Sequence, residues 1–242
     1  MSNEHQGHRS ADEASVQSSG NSTETSLVTT EQSPENMLVA QLISQPNLYR
    51  QSQVQLDISQ RNIMLKALRA YKDGDVKGGM HLIQEAEQAG QLNSAAYVLK
   101  SDLAMAAQDE KEALAHLQKA LRINPYNYIA CNRLAHLMRK QGNFAQALSL
   151  YNRAIAAVPS DAGSYRNRGI LYDLYIQDKA EALEDYKRYH ALLEHQRQER
   201  VSEKPLLKAI DKDIKQVKGW LLDLSRQLQA IENTREIKGE AE

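Results

Sequence analysis

The sequence is poor in cysteine, in net charge and in long hydrophobic runs. Cys131 is the only cysteine among 242 residues, which excludes an internal disulfide and a thiolate zinc cluster and favours a reducing compartment. The 30 basic and 31 acidic residues nearly cancel, so the chain has no general attraction for nucleic acid or anionic membranes. No segment approaches the roughly 18 consecutive apolar residues of a membrane span, and the N-terminus lacks a secretory signal pattern. These absences predict a cytoplasmic protein with no nucleic-acid partner and no membrane span.

The sequence also lacks the motifs that carry catalysis or hold a cofactor. It contains no phosphate-binding glycine loop, no serine nucleophile elbow and no His-Glu-x-x-His zinc motif. Its histidines do not share metal-ligand spacings, and His190 and His195 are too poorly spaced to lie on one helical face. We therefore predict a protein that is not an enzyme and that uses no cofactor and no metal.

The first 36 residues differ in composition from the rest of the chain. Residues 1–36 are rich in Ser, Thr, Glu, Gln, Asn and Gly and have almost no large apolar side chain. Burial therefore cannot offset the entropy that this segment would lose on ordering. We predict a disordered polar tail, followed over residues 37–58 by a short helix and a connector in which apolar residues recur irregularly.

From residue 60 onward the sequence repeats with a period of 34 residues. Three kinds of position share this register, namely Pro125 and Pro159, then Gly74, Gln108 and Gly142, and finally Ala86, Ala120 and Ala154. The register predicts four repeats at 60–93, 94–127, 128–161 and 162–196, the last with about one inserted residue. Each repeat is expected to hold two helices, with a glycine at the turn and a proline after the second helix.

These blocks resemble the tetratricopeptide repeat family, and their sequence is similar to that of its bacterial members. The family pattern falls in the third repeat on Leu134, Ala135, Gly142, Ala147, Tyr151, Ala154 and Pro159, and in the fourth on Tyr165, Gly169, Tyr172, Ala182 and Tyr186. The resemblance implies an all-α, right-handed superhelical solenoid of about four helical hairpins. Within it, Cys131 lies at an early apolar position, which favours a buried structural residue over a reactive thiol.

A long amphipathic helix is predicted after the repeats, over residues 202–233. Its apolar residues alternate spacings of three and four, as Leu207, Ile210, Ile214, Val217, Leu221, Leu224, Leu228 and Ile231. This apolar stripe suits a cap over the last repeat. The same spacing suits a two-stranded coiled coil, so a homodimer through this helix is the alternative. Residues 234–242 are predicted to form a polar tail.

The resemblance also assigns the residues of a concave groove, which in this family is lined by the first helix of each repeat. The assigned residues are Asn132, Arg133, His136, Arg139, Lys140, Arg166 and Asn167 at a basic, amide-rich end, and Met64, Leu68 and Leu99 at an apolar end. Only Arg133 falls on the clamp with which chaperone-tail binders of the family hold a C-terminal carboxylate, so that clamp is not expected.

The predicted function is an interaction module, acting as an adaptor, scaffold or assembly factor. Its groove would bind a peptide segment of a protein partner, with carboxylates or carbonyls at the basic end. In the alternative interpretation the basic residues form a solvated face and the apolar ones pack between helices or under residues 37–58. Two other functions stay open: a structural oligomeriser that dimerises through the C-terminal helix, and a pilus or secretion-system assembly factor.

Overall fold

The computed structural model describes residues 33–90 and 92–239, with side chains up to residue 236. The helices described here belong to a compact unit that begins at Pro34. The predicted disordered tail lies outside the described residues, except for its last few positions, where α1 begins. The helices are α1 Pro34–Ser44, α2 Leu48–Gln51, α3 Ile58–Lys72, α4 Val76–Ala89, α5 Ser94–Ala106, α6 Glu110–Ile123, α7 Tyr128–Lys140, α8 Phe144–Ala157, α9 Ala162–Leu171, α10 Lys179–Glu199 and α11 Lys204–Gly239. Because the described residues contain no strand, the all-α prediction is confirmed.

Eight of these helices form four hairpins, α3 with α4, α5 with α6, α7 with α8, and α9 with α10. Every first helix starts at an Asp or Asn whose side-chain oxygen accepts a hydrogen bond from the backbone N–H three residues later. These N-caps are Asp57, Asn93, Asn127 and Asp161. Each hairpin turn contains one residue in the left-handed region, and these residues are Gly74, Gln108, Gly142 and Gln177. Caps and turns with this spacing explain why a 34-residue period produces paired helices.

Small side chains let the helices of each hairpin approach closely. Residues at the eighth position of the repeats are Ala67, Ser101, Ala135 and Gly169, and the equivalent buried positions of the second helices hold the larger residues Ile83, Leu117, Tyr151 and Tyr186. In the fourth repeat only glycine fits, because a Cβ on Gly169 would lie 2.7 Å from the ring of Tyr186. The solenoid is therefore held by a column of small residues against a column of large ones.

The fourth repeat takes up its extra residue as one turn of π-helix, Tyr172–Ile176. At the hairpin turn of the third repeat, the Asn143 N–H donates to the carbonyl of Met138, five residues earlier. At the corresponding turn of the fourth, the Asp178 N–H donates to the carbonyl of Tyr172, six residues earlier. The insertion thus widens one helical turn. It also leaves three apolar side chains exposed on this turn, those of Leu174, Tyr175 and Ile176.

The residues before the first repeat form a strap, defined as residues 34–57, along the loops that join successive repeats. The Asn93 side-chain amide, between the first and second repeats, donates to the Val54 carbonyl over 3.2 Å. Between the second and third repeats, the Asn124 side-chain amide donates to the Ser52 carbonyl over 3.4 Å, and the Asn124 Oδ1 lies 3.1 Å from the Ser52 hydroxyl. These bonds connect the strap to positions far along the chain.

The earlier part of the strap reaches the third and fourth repeats. Tyr49 packs edge-on against Tyr128, with ring centroids 5.5 Å apart, and α1 lies against α10, where Leu42 joins the apolar cluster of the fourth repeat. Met64 is half-buried against the core of the first repeats, in line with the interpretation that the apolar groove residues pack between helices or under residues 37–58.

Replacing Asn124 with alanine tests the strap. Asn124 is 3% exposed; its Oδ1 accepts a hydrogen bond from the Tyr126 N–H and lies 3.1 Å from the Ser52 hydroxyl, and its amide donates to the Ser52 carbonyl. Loss of these bonds is expected to lower the free energy of unfolding by about 1–3 kcal/mol, measured by urea denaturation. Asn143→Ala is the matched control, because Asn143 is exposed and its side chain makes no capping hydrogen bond. An equal loss in both variants would contradict a stabilising strap.

Helix α11 packs along α10 and covers the fourth repeat. Four residues of its apolar stripe are buried, namely Ile210, Ile214, Val217 and Leu224, and three more are half-buried, namely Leu207, Leu221 and Leu228. The Trp220 ring lies 4.9 Å from that of Tyr186. The helix continues to Gly239, six residues beyond the predicted end at residue 233. The chain thus uses the stripe internally as far as Leu228, and Ile231 is exposed.

Candidate functional site

The first helices α3, α5, α7 and α9 present a common surface, called here the first-helix face. Between the second and third repeats a recess of about 220 Å³ opens on this face. Its lining residues are Ser101, Asp102, Met105, Leu117, Asn132, Arg133, His136, Leu137 and Asn167. Four of the predicted groove residues, Asn132, Arg133, His136 and Asn167, therefore come together in one recess.

An ion pair between neighbouring repeats occupies one wall of the recess. The Arg133 guanidinium donates to both carboxylate oxygens of Asp102, with Nη2 2.6 Å from Oδ2 and Nε bonded to Oδ1. The Asp102 side chain is 14% exposed and the Arg133 side chain 41%, so the carboxylate is largely withdrawn from water while the guanidinium stays partly open to it. The expectation that Arg133 offers a free charge to a partner carboxylate is corrected, because Asp102 already compensates that charge.

A chain of hydrogen bonds fixes the amide groups on the opposite wall. The Asn167 Nδ2 donates to the Asn132 Oδ1 over 3.2 Å. The Asn132 Nδ2 donates to the Tyr128 carbonyl and to the Ser164 hydroxyl, and that hydroxyl donates to Asp161. Because the Tyr128 backbone carbonyl can only accept a hydrogen bond, the atom of Asn132 that faces it must be the donor Nδ2 and not Oδ1. The Asn167 carbonyl oxygen is left without a partner among the described residues.

The Ser101 hydroxyl is an unpaired polar group at the recess. Its residue is 1% exposed, and its Oγ has no hydrogen-bond partner among the described residues. A buried polar atom without a partner costs about 1–3 kcal/mol. Sequence reasoning did not select Ser101, although it stands in the column occupied elsewhere by Ala67, Ala135 and Gly169. The sequence did contain a signal, because packing at this repeat position requires only a small residue and a serine hydroxyl is not needed for it.

Most of the predicted basic end is already engaged within the chain. The Lys140 ammonium lies 2.5 Å from a carboxylate oxygen of Glu110, and the Arg139 guanidinium lies over the Tyr175 ring at 5.3 Å. Burial, and then the charges of Arg139 and Lys140, lower the pKa of His136, so this imidazole is neutral at pH 7. Arg166 is half-buried and has no ion pair in the part of the chain that the structure describes.

The predicted apolar end is divided between core and surface. Leu99 is 6% exposed and belongs to the core of the first three repeats, so its assignment to the groove surface is wrong. Met64 is half-buried against the same core. Leu68 is 36% exposed and, with the exposed Leu65, borders a second depression on α3 that Lys66, Arg69 and Lys72 also line. Of the three predicted residues, Leu68 is the one that a partner can reach most readily.

Two further observations concern chemistry and the membrane. Cys131 is fully buried, and burial raises the pKa of its thiol to about 11, so it remains protonated at pH 7, as a structural residue does. Among the helices described, even the longest is too polar to cross a membrane.

The repeats match two family patterns, both described as tetratricopeptide repeat, over residues 64–128 and 104–167. Residues 64–167 of the chain therefore consist of tetratricopeptide repeats. No curated protein matches its sequence closely enough to count as a relative.

Solved structures share the tetratricopeptide fold with this chain. The MamA crystal structure is 15% identical in sequence, covers 67% of this chain and 88% of its own, and has a TM-score of 0.50. The structure of YrrB, described as a TPR protein with an unusual peptide-binding site, is 20% identical over 59% of this chain and 70% of its own, with a TM-score of 0.44. The first TPR of Spaghetti (RPAP3), bound to an HSP90 peptide, is 20% identical over 57% of this chain and 96% of its own, with a TM-score of 0.43. These likenesses concern the fold alone.

Proposed function

We propose that the chain is a protein interaction module that binds a peptide segment of a partner on its first-helix face. The observation that carries this proposal is the recess between the second and third repeats, where polar groups of α5, α7 and α9 meet an apolar floor. Binding sites in proteins combine such an apolar surface with a few fixed polar groups. As an adaptor, scaffold or assembly factor, the chain would work in a reducing compartment such as the cytoplasm, which a sequence with a single cysteine favours.

The charge of the partner segment follows from the ion pairs on this face. Arg133 is the arginine among the residues that line the recess, and Asp102 compensates its charge, so the recess itself has little net attraction for a carboxylate. We therefore infer a segment that enters the recess with uncharged groups, whose contacts inside the recess depend little on salt concentration.

The alternative function, dimerisation through the C-terminal helix, requires an accessible apolar stripe. Since α11 places seven of its eight stripe residues at least half-buried within the chain, a coiled coil would have to displace the fourth repeat. The interaction module is therefore favoured. A role in pilus or secretion-system assembly is a narrower form of the same proposal. Its support is the resemblance of the fourth repeat and the final helix to the sequences of bacterial repeat proteins with that role.

Placing a charge in the recess should abolish capture of the partner. Met105 lines the recess and is 37% exposed, so Met105→Glu is expected to fold normally while bringing an uncompensated carboxylate to the recess. We expect at least about a tenfold loss of affinity for any protein captured by the wild-type chain from native lysate, with unchanged melting temperature. Ile231→Glu on α11 is the matched control, because Ile231 is similarly exposed at 43% and lies far from the recess in sequence. Loss of capture in Ile231→Glu but not in Met105→Glu would place binding on α11 and overturn the proposal.

A further inference from the structure

We propose that the recess holds a glutamine side chain of the bound segment. This inference rests on the proposed peptide binding at the first-helix face and adds to it the chemistry of the residue that anchors the segment. The recess has polar walls and an apolar base, and the charges of Arg133 and Asp102 within it compensate each other. A side chain that suits all three properties is uncharged and has both hydrogen-bond donors and an acceptor.

The first reason is the unused hydrogen-bonding capacity at the recess. The Ser101 hydroxyl is able to donate and to accept, and the Asn167 carbonyl oxygen is able to accept; neither has a partner among the described residues. The hydroxyl is not needed for packing, since Ala67, Ala135 and Gly169 occupy the equivalent positions of the other repeats. A primary amide has two N–H donors and a carbonyl acceptor, so it has the donors that both oxygens can accept from.

The second reason is charge. The cation and the anion of the recess, Arg133 and Asp102, bind each other in a bidentate pair, and His136 is neutral at pH 7 because burial lowers its pKa. A glutamate or lysine side chain would therefore lose its hydration without gaining an unpaired counter-ion. An uncharged amide loses much less hydration free energy than an ion does, and hydrogen bonds within the recess can replace what it loses.

The third reason is the shape and polarity of the recess. Among its apolar lining residues Met105 is 37% exposed, while Leu117 and Leu137 are almost fully buried. The volume of about 220 Å³ admits a long side chain. The two methylene groups of glutamine suit this surface, whereas serine or asparagine would leave more of it uncovered. Methionine has a similar length but no donor, so it would leave the Ser101 hydroxyl unpaired and would cover the Asn167 carbonyl oxygen without bonding to it.

The test uses random dodecapeptides displayed on phage and panned against the full chain. Selected peptides are synthesised with glutamine and with glutamate, methionine or alanine at the enriched position, and their affinities are measured by fluorescence anisotropy. We expect glutamine to be enriched at one position, and the glutamate and methionine peptides to bind at least about tenfold more weakly. Ser101→Ala, which restores the residue type of the other repeats, should weaken the glutamine peptide by about tenfold and the methionine peptide by much less.

Ser225→Ala is the matched control, because Ser225 is exposed on α11 and its hydroxyl bonds only to the Leu221 carbonyl. Its affinities should equal those of the wild-type chain. Amide resonances of Ser101 and Asn167 report whether a selected peptide occupies the recess. Peptides that occupy it with equal affinity for glutamine, glutamate and methionine would overturn the glutamine inference and leave the proposed function standing. Peptides that perturb other surfaces and never these two resonances would overturn both.

Discussion

Replacing Asp185 with alanine is expected to lower the free energy of unfolding by about 3–5 kcal/mol. The Asp185 side chain is fully buried and accepts two hydrogen bonds of 2.7 Å from the Arg168 guanidinium. Burial raises the pKa of the Asp185 carboxyl, and the bonds from Arg168 oppose that rise. The Arg168 side chain is itself only 16% exposed, so the variant would leave a largely buried cation without its counter-ion. That unpaired charge, more than the lost attraction, accounts for the size of the expected effect.

Urea denaturation measured by circular dichroism checks this prediction, with Glu184→Ala as its control. Glu184 is the preceding residue, its side chain is 49% exposed, and it bonds to Lys187 on the same helix. Its loss is expected to change stability by less than about 1 kcal/mol. Replacing both members of the buried pair, with Arg168→Met and Asp185→Leu together, should recover most of the stability lost in the single variant. Equal, small effects of Asp185→Ala and Glu184→Ala would mean that the pair is not formed in solution.

The repeat architecture was predictable because it depends on local, periodic signals. The third repeat, predicted to begin at residue 128, begins with α7 at Tyr128, since its N-cap and its turn residue recur every 34 positions. The inserted residue of the fourth repeat was also visible in the spacing. The sequence did not predict that this residue is accommodated in a π-helical turn. That turn is defined by a backbone hydrogen bond from the Asp178 N–H to the Tyr172 carbonyl, and backbone bonds of this kind do not require particular side chains.

Non-periodic contacts account for what sequence reasoning missed. The bonds between Ser52 and Asn124 join residues 72 positions apart, and nothing in either segment predicts them. The pairing of Arg133 with Asp102 spans two repeats, so assigning each position separately to a groove overlooked that the two charges meet. Leu99 shows the same limit, because its place in the family pattern does not reveal how far the neighbouring helices close over it.

Deleting residues 204–242 should unfold the fourth repeat and make the remaining chain poorly soluble. Four stripe residues of α11 are buried, namely Ile210, Ile214, Val217 and Leu224, and each contributes about 1.5–3 kcal/mol through burial. Their sum, about 6–12 kcal/mol, is an upper estimate that is comparable to the whole stability of a domain, about 5–15 kcal/mol. The deletion would also expose Leu192 and Leu193 on α10, which share the same cluster. A terminal repeat without a polar covering aggregates.

A shorter truncation separates the cap from the rest of α11. Removal of residues 231–242 takes away only residues whose described side chains are exposed, so the melting temperature should stay close to that of the full chain. Trp220 is the only tryptophan, and its ring lies against Tyr186, so its fluorescence reports whether the cap remains docked in this control. Sedimentation equilibrium distinguishes the alternative function. If the chain without residues 204–242 keeps its melting temperature but changes from dimer to monomer, α11 is an oligomerisation helix; if it loses the fold of the fourth repeat, α11 is the cap on which the solenoid depends.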